Sequence, residues 1–150
     1  MNSEVFDWTG RIRRHLTVVL AQELDMADAT GEEAAQAVEE FAEIERLAAV
    51  AKVRAARRVA ETEAYKRSGD KDAAGWFART TGSSKRDAER SLAAAKSLDD
   101  LDATREAAER GELSEQQLRE ITDAATANPA AEQELLDAAR PDTMAGLKDT

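Results

Sequence analysis

Cations are the residues of this 150-residue chain best suited to chemistry. Arg79, Lys85, Arg86 and Arg90 lie close together in sequence, and guanidinium and ammonium groups so spaced suit phosphate oxygens, which they neutralise and hydrogen-bond. On a helix Arg86 and Arg90, four residues apart, share one side, so both are expected to point outward and make the direct contacts to a duplex. Arg79 and Lys85 are expected to support them at neighbouring phosphates, and Arg54, Arg57 and Arg58 to extend the same basic surface. The bulk charge runs the other way, with 31 acids against 21 Lys and Arg and a net charge of -10, a balance that repels nucleic acid when evenly spread. It is not evenly spread. Residues 46–98 hold 13 Lys/Arg against 6 Asp/Glu, a local +7, whereas residues 1–45 amount to -8 and residues 99–150 to -9.

Other chemistries are poorly supplied. The chain has no cysteine and one histidine, which removes disulfides and thiolate zinc sites. His15 stands between Arg14 and Leu16 in a first amphipathic segment and reads as solvated or partly packed, not catalytic. The adjacent carboxylates Glu32 with Glu33 and Asp99 with Asp100 fall at helix starts, where capping and the helix dipole account for them better than acid–base work does. No Gly-rich phosphate loop, Ser/His/Asp arrangement or nucleotide fingerprint is present. No catalytic residue, metal or cofactor is therefore expected, and the chain reads as non-enzymatic.

The elements that position these residues are helical. Thirty-two residues are alanine, only 4% are aromatic and two are proline. Ala, Glu, Arg, Leu, Gln and Lys are the best helix formers, and no stretch shows the alternation of a strand. The expected fold is all-α, a multi-helix bundle in one domain with one long helix and a helix-turn-helix-like corner. The longest continuous apolar run, Leu47 to Ala51, is far below the ~20 residues a bilayer needs; a soluble, cytoplasmic protein without a membrane contact is expected.

Over residues 1–31, Ile12, Leu16, Val19, Leu20 and Leu24 form one face of a short helix, with Thr9 as its expected cap. A turn-rich connection ends at Gly31. Residues 32–67 then run without Gly or Pro, enough for a helix of ~54 Å at 1.5 Å per residue. Ala37, Phe41, Ile44, Ala48, Ala51 and Ala55 alternate steps of three and four, a stripe expected to face a partner helix. Acids crowd the start of this segment and bases its end, complementing the helix dipole.

Residues 72–98 carry the corner. Gly82 follows a run of helix formers where a left-handed closing residue is needed, and Ser83 and Ser84 stand ready to cap the next helix. Ala78, four positions before Gly82, is small enough to let two helices approach, and Ala88, Leu92 and Ala95 form the inward stripe. A packing corner of the same pattern is the competing reading, with Arg86–Glu89 and Asp87–Arg90 as surface ion pairs. Across residues 99–140 a short helix from Asp99 closes at Gly111. Another opens at Ser114, with Gln117 at capping-box spacing, and breaks at Asn128-Pro129. A last one spans Ala130 to Arg140, and residues 141–150 form a tail that reads as cut within something larger.

The ordered set Trp76, Phe77, Ala78, then Thr81-Gly82-Ser83-Ser84, then Ala88, Leu92, Ala95 and Leu98, then Leu101, Thr104, Ala108, Gly111, Leu113-Ser114 and Gln117 resembles a widespread actinobacterial family. That family is the domain of unknown function found N-terminal to HNH endonuclease domains, with an Arg- and Ala-rich long helix ahead of the Trp- and Gly-containing segments. The likeness covers roughly residues 32–140; Ser83 and Asp102 depart from the pattern, standing where an aliphatic residue and a proline are common. The resemblance implies a nuclease module beyond residue 150, since this chain lacks the histidines and cysteines such a module uses.

The leading expectation is a non-catalytic helical module that binds or positions DNA weakly and in a salt-dependent way. The alternative is a protein-interaction or oligomerisation scaffold, a possible homo-oligomer through the long helix, with Phe41, Ile44, Leu47 and Ala51 as its contact residues. Coverage of that stripe by the chain's own helices would remove the scaffold's surface. A third possibility is autoinhibition, with the acidic segments covering the basic block.

Overall fold

A computed structural model describes residues 3–23 and 26–139. The predicted tail 141–150, together with Arg140 and Leu24, lies outside the described residues. Seven α-helices and no strand are found among them: α1 (Ser3–Val18), α2 (Gly31–Thr62), α3 (Ala73–Thr81), α4 (Lys85–Ser97), α5 (Asp102–Glu109), α6 (Glu115–Ala127) and α7 (Glu132–Ala139). The chain divides into two compact units, Met1–Glu40 and Phe41–Thr150.

In the first unit α1 begins at Ser3, not after a cap at Thr9. Thr9 and Gly10 are carried inside the helix. The helix loosens into a π-helical turn over Val19–Glu23. A single 3-10 turn, Met26–Asp28, follows, and Thr30 caps α2 by accepting the Glu33 N–H at 3.1 Å. Trp8, Ile12, Leu20 and Val38 are exposed.

α2 is a 32-residue helix, shorter at its end than the expected 32–67. Its last turn tightens, the Glu63 N–H reaching back three residues to the Ala60 carbonyl, and the Thr62 hydroxyl bonds the Arg58 carbonyl. Glu63 then adopts a left-handed φ of 59°, which an α-helix does not continue through. A 3-10 turn over Ala64–Ser68 closes at Gly69.

The second unit is built around the inner face of α2. Val50, Val53 and Ala56 pack with Phe77 of α3, Ala88, Ala94 and Ala95 of α4, Ala107 and Ala108 of α5, Leu118 and Ile121 of α6, and Leu136 of α7. α3 packs on α4, α4 on α6, and α6 and α5 on α7. Alanine at so many contact positions keeps the helices close; Val53, Phe77, Leu113, Leu118 and Leu136 supply most of the bulk. The stripe Ala48, Ala51 and Ala55 does not enter this core, for all three are exposed and the buried positions are Ala49, Val50, Val53 and Ala56. Both sets have helical spacing, and it is the Val50–Val53 side that the residues of α3, α4 and α6 close over.

The short helices are set by local chemistry. Ser114 and Gln117 form the predicted capping box of α6. α5 starts at Asp102, not Asp99, because its first turn is capped from outside: the Glu132 carboxylate accepts both the Thr104 N–H and its hydroxyl at 2.8 Å. Gly111 closes α5 at φ 74°, its carbonyl accepting from the Arg46 guanidinium of α2. Pro129 breaks α6 from α7 through a short 3-10 turn, so that α7 starts at Glu132 and not at Ala130.

Candidate functional site

The α3–α4 corner forms as its residues predict. Asp72 caps α3, one carboxylate oxygen accepting the Gly75 N–H at 2.6 Å. Gly82 takes φ 74°, with its N–H and that of Ser83 both on the Ala78 carbonyl. Ser84 then caps α4 by accepting the Asp87 N–H at 3.0 Å. Ala88 and Ala95 are buried and Leu92 packs against the core.

The cations of the predicted phosphate surface have a different fate. Arg79 forks onto Asp70, at 2.7 and 3.4 Å. Lys85 donates to the free oxygen of Asp72 at 3.1 Å. Arg90 reaches across to Asp123 of α6 with two donors, at 2.9 and 3.2 Å. Arg54 pairs with Glu109 of α5, Arg58 with Glu61, and Arg57 with Asp99 at 2.7 Å and Glu61 at 3.1 Å. Of the seven, Arg86 alone has no ion pair among the described residues, and it is exposed. The expected pairs Arg86–Glu89 and Asp87–Arg90 do not form; Arg90 is taken instead by Asp123 on the neighbouring helix.

These pairings leave their mark on the acids. Asp72 is held below the usual carboxylate range, first by the Gly75 N–H and then by Lys85. Asp99 is lowered by its hydrogen bond from Arg57 and Glu109 by that from Arg54. In return Arg57, Arg79 and Lys85 are raised by Asp99, Asp70 and Asp72 respectively. The +7 of residues 46–98 is thus not a +7 surface: three of the neutralising acids, Asp99, Glu109 and Asp123, come from the acidic stretch that follows it.

A polar cluster that the sequence reading missed lies between α2, α4 and α6. The Glu115 carboxylate accepts from Lys52 Nζ at 2.8 Å and from the buried Ser91 hydroxyl at 3.0 Å. Arg119 Nη1 lies 3.3 Å from that hydroxyl and 3.6 Å from the carboxylate. Ser91 at an inward position of the α4 stripe is the one sequence signal that pointed there. His15 is exposed on α1, and no group of three His, Cys, Asp or Glu able to hold a metal is found among the described residues. No described helix is long and apolar enough to cross a membrane.

The residues of the alternative scaffold surface fall on the outward side of α2. Ile44 is 40% and Leu47 41% exposed; Ala48, Ala51 and Ala55 are exposed and Phe41 is half-buried. On a helical wheel these positions lie opposite the core residues Val50, Val53 and Ala56. Beside them runs an open groove of about 450 Å³ lined by Lys52, Ala55, Val59, Trp76 and Phe77, with Lys52 Nζ 5.9 Å from the Phe77 ring centre. No family model, curated protein or solved structure matches this chain.

Proposed function

We propose that the chain is a non-catalytic helical interaction module whose working surface is the outward face of α2, with the α3–α4 corner as part of the framework that holds it. The carrying observation is that α2 is two-sided, with a complete core on one face and an exposed apolar row, Ile44, Leu47, Ala48, Ala51 and Ala55, on the other. An exposed apolar stripe of this kind on a rigid helix marks a protein contact. The resemblance to the domain preceding HNH nucleases adds a context, in which such a module would join a nuclease-bearing chain to its partner.

Positioning of DNA is the second reading, and Arg86, exposed and without an ion pair among the described residues, is the observation that favours it. Contact through the other six cations requires phosphates to displace carboxylates already bound. Autoinhibition by the acidic half would need those carboxylates to come away, yet Asp99, Glu109 and Asp123 sit beside or on helices whose residues build the core.

A photo-crosslinking residue placed at Ala51 of the intact chain, with Glu106 on α5 as the control position, separates the readings. The interaction module predicts a discrete protein adduct from position 51 alone, identified by mass spectrometry. It also predicts that a fluorescent duplex titrated at low salt shows no binding by anisotropy. Duplex binding that is steeply salt-dependent and lost on reversing Arg86 and Arg90 to Glu, with no adduct at position 51, would replace this reading with the DNA one.

A further inference from the structure

We infer that the partner of the α2 face is a second copy of this chain, packed antiparallel, with Phe41 of each copy seated in the Trp76 groove of the other. This rests on the interaction-module reading and deepens it. Phe41, Ile44, Ala48, Ala51 and Ala55 step by three, four, three and four, the spacing of a seam between two helices.

Reversing the seam on itself sets Ile44 against Ala55 at both ends and Ala48 against Ala51 in the middle. Large meets small in the outer layers, and the alanine layers let the helices approach closely. A parallel pair would instead set Ile44 against Ile44 and Ala51 against Ala51, crowding one layer and leaving a void in another. Charge selects the same arrangement. Glu45 and Lys52 lie on one flank of the seam, where an antiparallel copy brings each Glu45 opposite a Lys52, twice over. Glu45 has no ion pair among the described residues, and Lys52, held by Glu115 at 2.8 Å, is still 43% exposed, so its ammonium can be shared with Glu45 of the other copy.

The groove fits the same register. In the antiparallel pair Phe41 arrives beside Ala55 and Val59 of the other copy, two of the four α2 residues that border the groove walled by Trp76. One aromatic side chain and one groove per copy, exchanged about a two-fold axis, make a closed contact that stops at two. The seam from Phe41 to Ala55 is ~21 Å of helix, so the expected dimer is reversible and dissociates on dilution.

Sedimentation velocity of the full chain, from low micromolar to several hundred micromolar, should show a monomer–dimer equilibrium. Ala51→Glu should abolish the dimer without loss of helix signal in circular dichroism, since the position is exposed. Phe41→Ala should weaken it by roughly tenfold or more, the loss of about 1.4 kcal/mol. Glu45→Lys and Lys52→Glu should each weaken it and together restore it. That rescue is the decisive readout, because Lys52→Glu alone also removes the pair with Glu115. The chain has no cysteine, so orientation is read directly: Ile44→Cys mixed with Ala55→Cys should give the mixed disulfide in preference to either homodimer.

A chain that stays monomeric throughout, a dimer untouched by Ala51→Glu, or homodisulfides alone would overturn the proposal. If the chain is monomeric yet position 51 crosslinks to a different, identified protein, the self-pairing falls and the interaction-module reading stands. If neither is seen, both fall.

Discussion

The α3–α4 corner and the outward face of α2 invert what their sequences suggest. The corner is rich in cations that look available, yet Arg79, Lys85 and Arg90 each hold a carboxylate within 3.1 Å. The α2 face is a run of alanines that looks like core, yet it lies in the open. A charged side chain is long and finds an acid wherever the fold brings one. An alanine stripe is short and is buried only if another helix is supplied to cover it. Charge density along a sequence is thus a poor guide to a free surface, and apolar spacing says that a face exists without saying who fills it.

The sharpest test of the contrast is packing energy. Phe77→Ala should destabilise the chain by ~3–5 kcal/mol, as expected for a buried aromatic. Ile44→Ala, at a concentration too low for self-association, should be close to neutral. Urea unfolding of both variants checks this, and equal losses would mean that the α2 face is covered after all.

Next in size are the two glycines with φ of 74°, Gly82 at the corner and Gly111 beneath α2. Gly82→Ala meets open space and should cost the left-handed backbone strain alone, ~1–2 kcal/mol. Gly111→Ala should cost more, because its new Cβ would stand 3.0 Å from Cγ of Leu47. A thermal melt of each variant orders the two, and a smaller loss at Gly111 would show that Leu47 swings clear without cost.

The polar cluster should respond more moderately. Glu115→Ala leaves the buried Ser91 hydroxyl without its acceptor and Arg119 without its carboxylate neighbour, an expected loss of ~1–3 kcal/mol for groups left unsatisfied. Chemical unfolding of the variant measures it.

Acid should act on the paired acids. Asp72, Asp99 and Glu109 are lowered in the folded chain, so at low pH the unfolded chain binds more protons. Their contribution is present above the ordinary carboxylate pKa and is lost as pH falls through the lowered values. Stability followed by circular dichroism should drop through this acidic window, and the drop should be shallower in Asp99→Asn. The smallest effect is expected at Arg86: Arg86→Glu should leave the melting temperature unchanged, whereas Arg90→Glu should lower it slightly by placing a carboxylate against Asp123.

Local chemistry was legible from the residues themselves. Gly82 with Ser84, Gly111, and Ser114 with Gln117 all close or cap helices as read, because each rests on a hydrogen bond or a backbone angle within a few residues. The all-α class and a helix longer than 30 residues follow equally from alanine content and the absence of breakers. The end of that helix was misplaced because Glu63 carries no signature of a left-handed backbone.

What only the tertiary structure decided is which side of α2 is the inside and which acids hold which cations. Two stripes on that helix share the same periodicity, and the choice of the Val50–Val53 side was made by α3, α4 and α6 closing over it. Arg90 and Asp123 are 33 residues apart, and nothing in the spacing of either reveals the other. Hydrogen bonds within a turn are written in the sequence because the chain itself fixes their geometry. Contacts between helices are not, because they depend on how every helix packs at once.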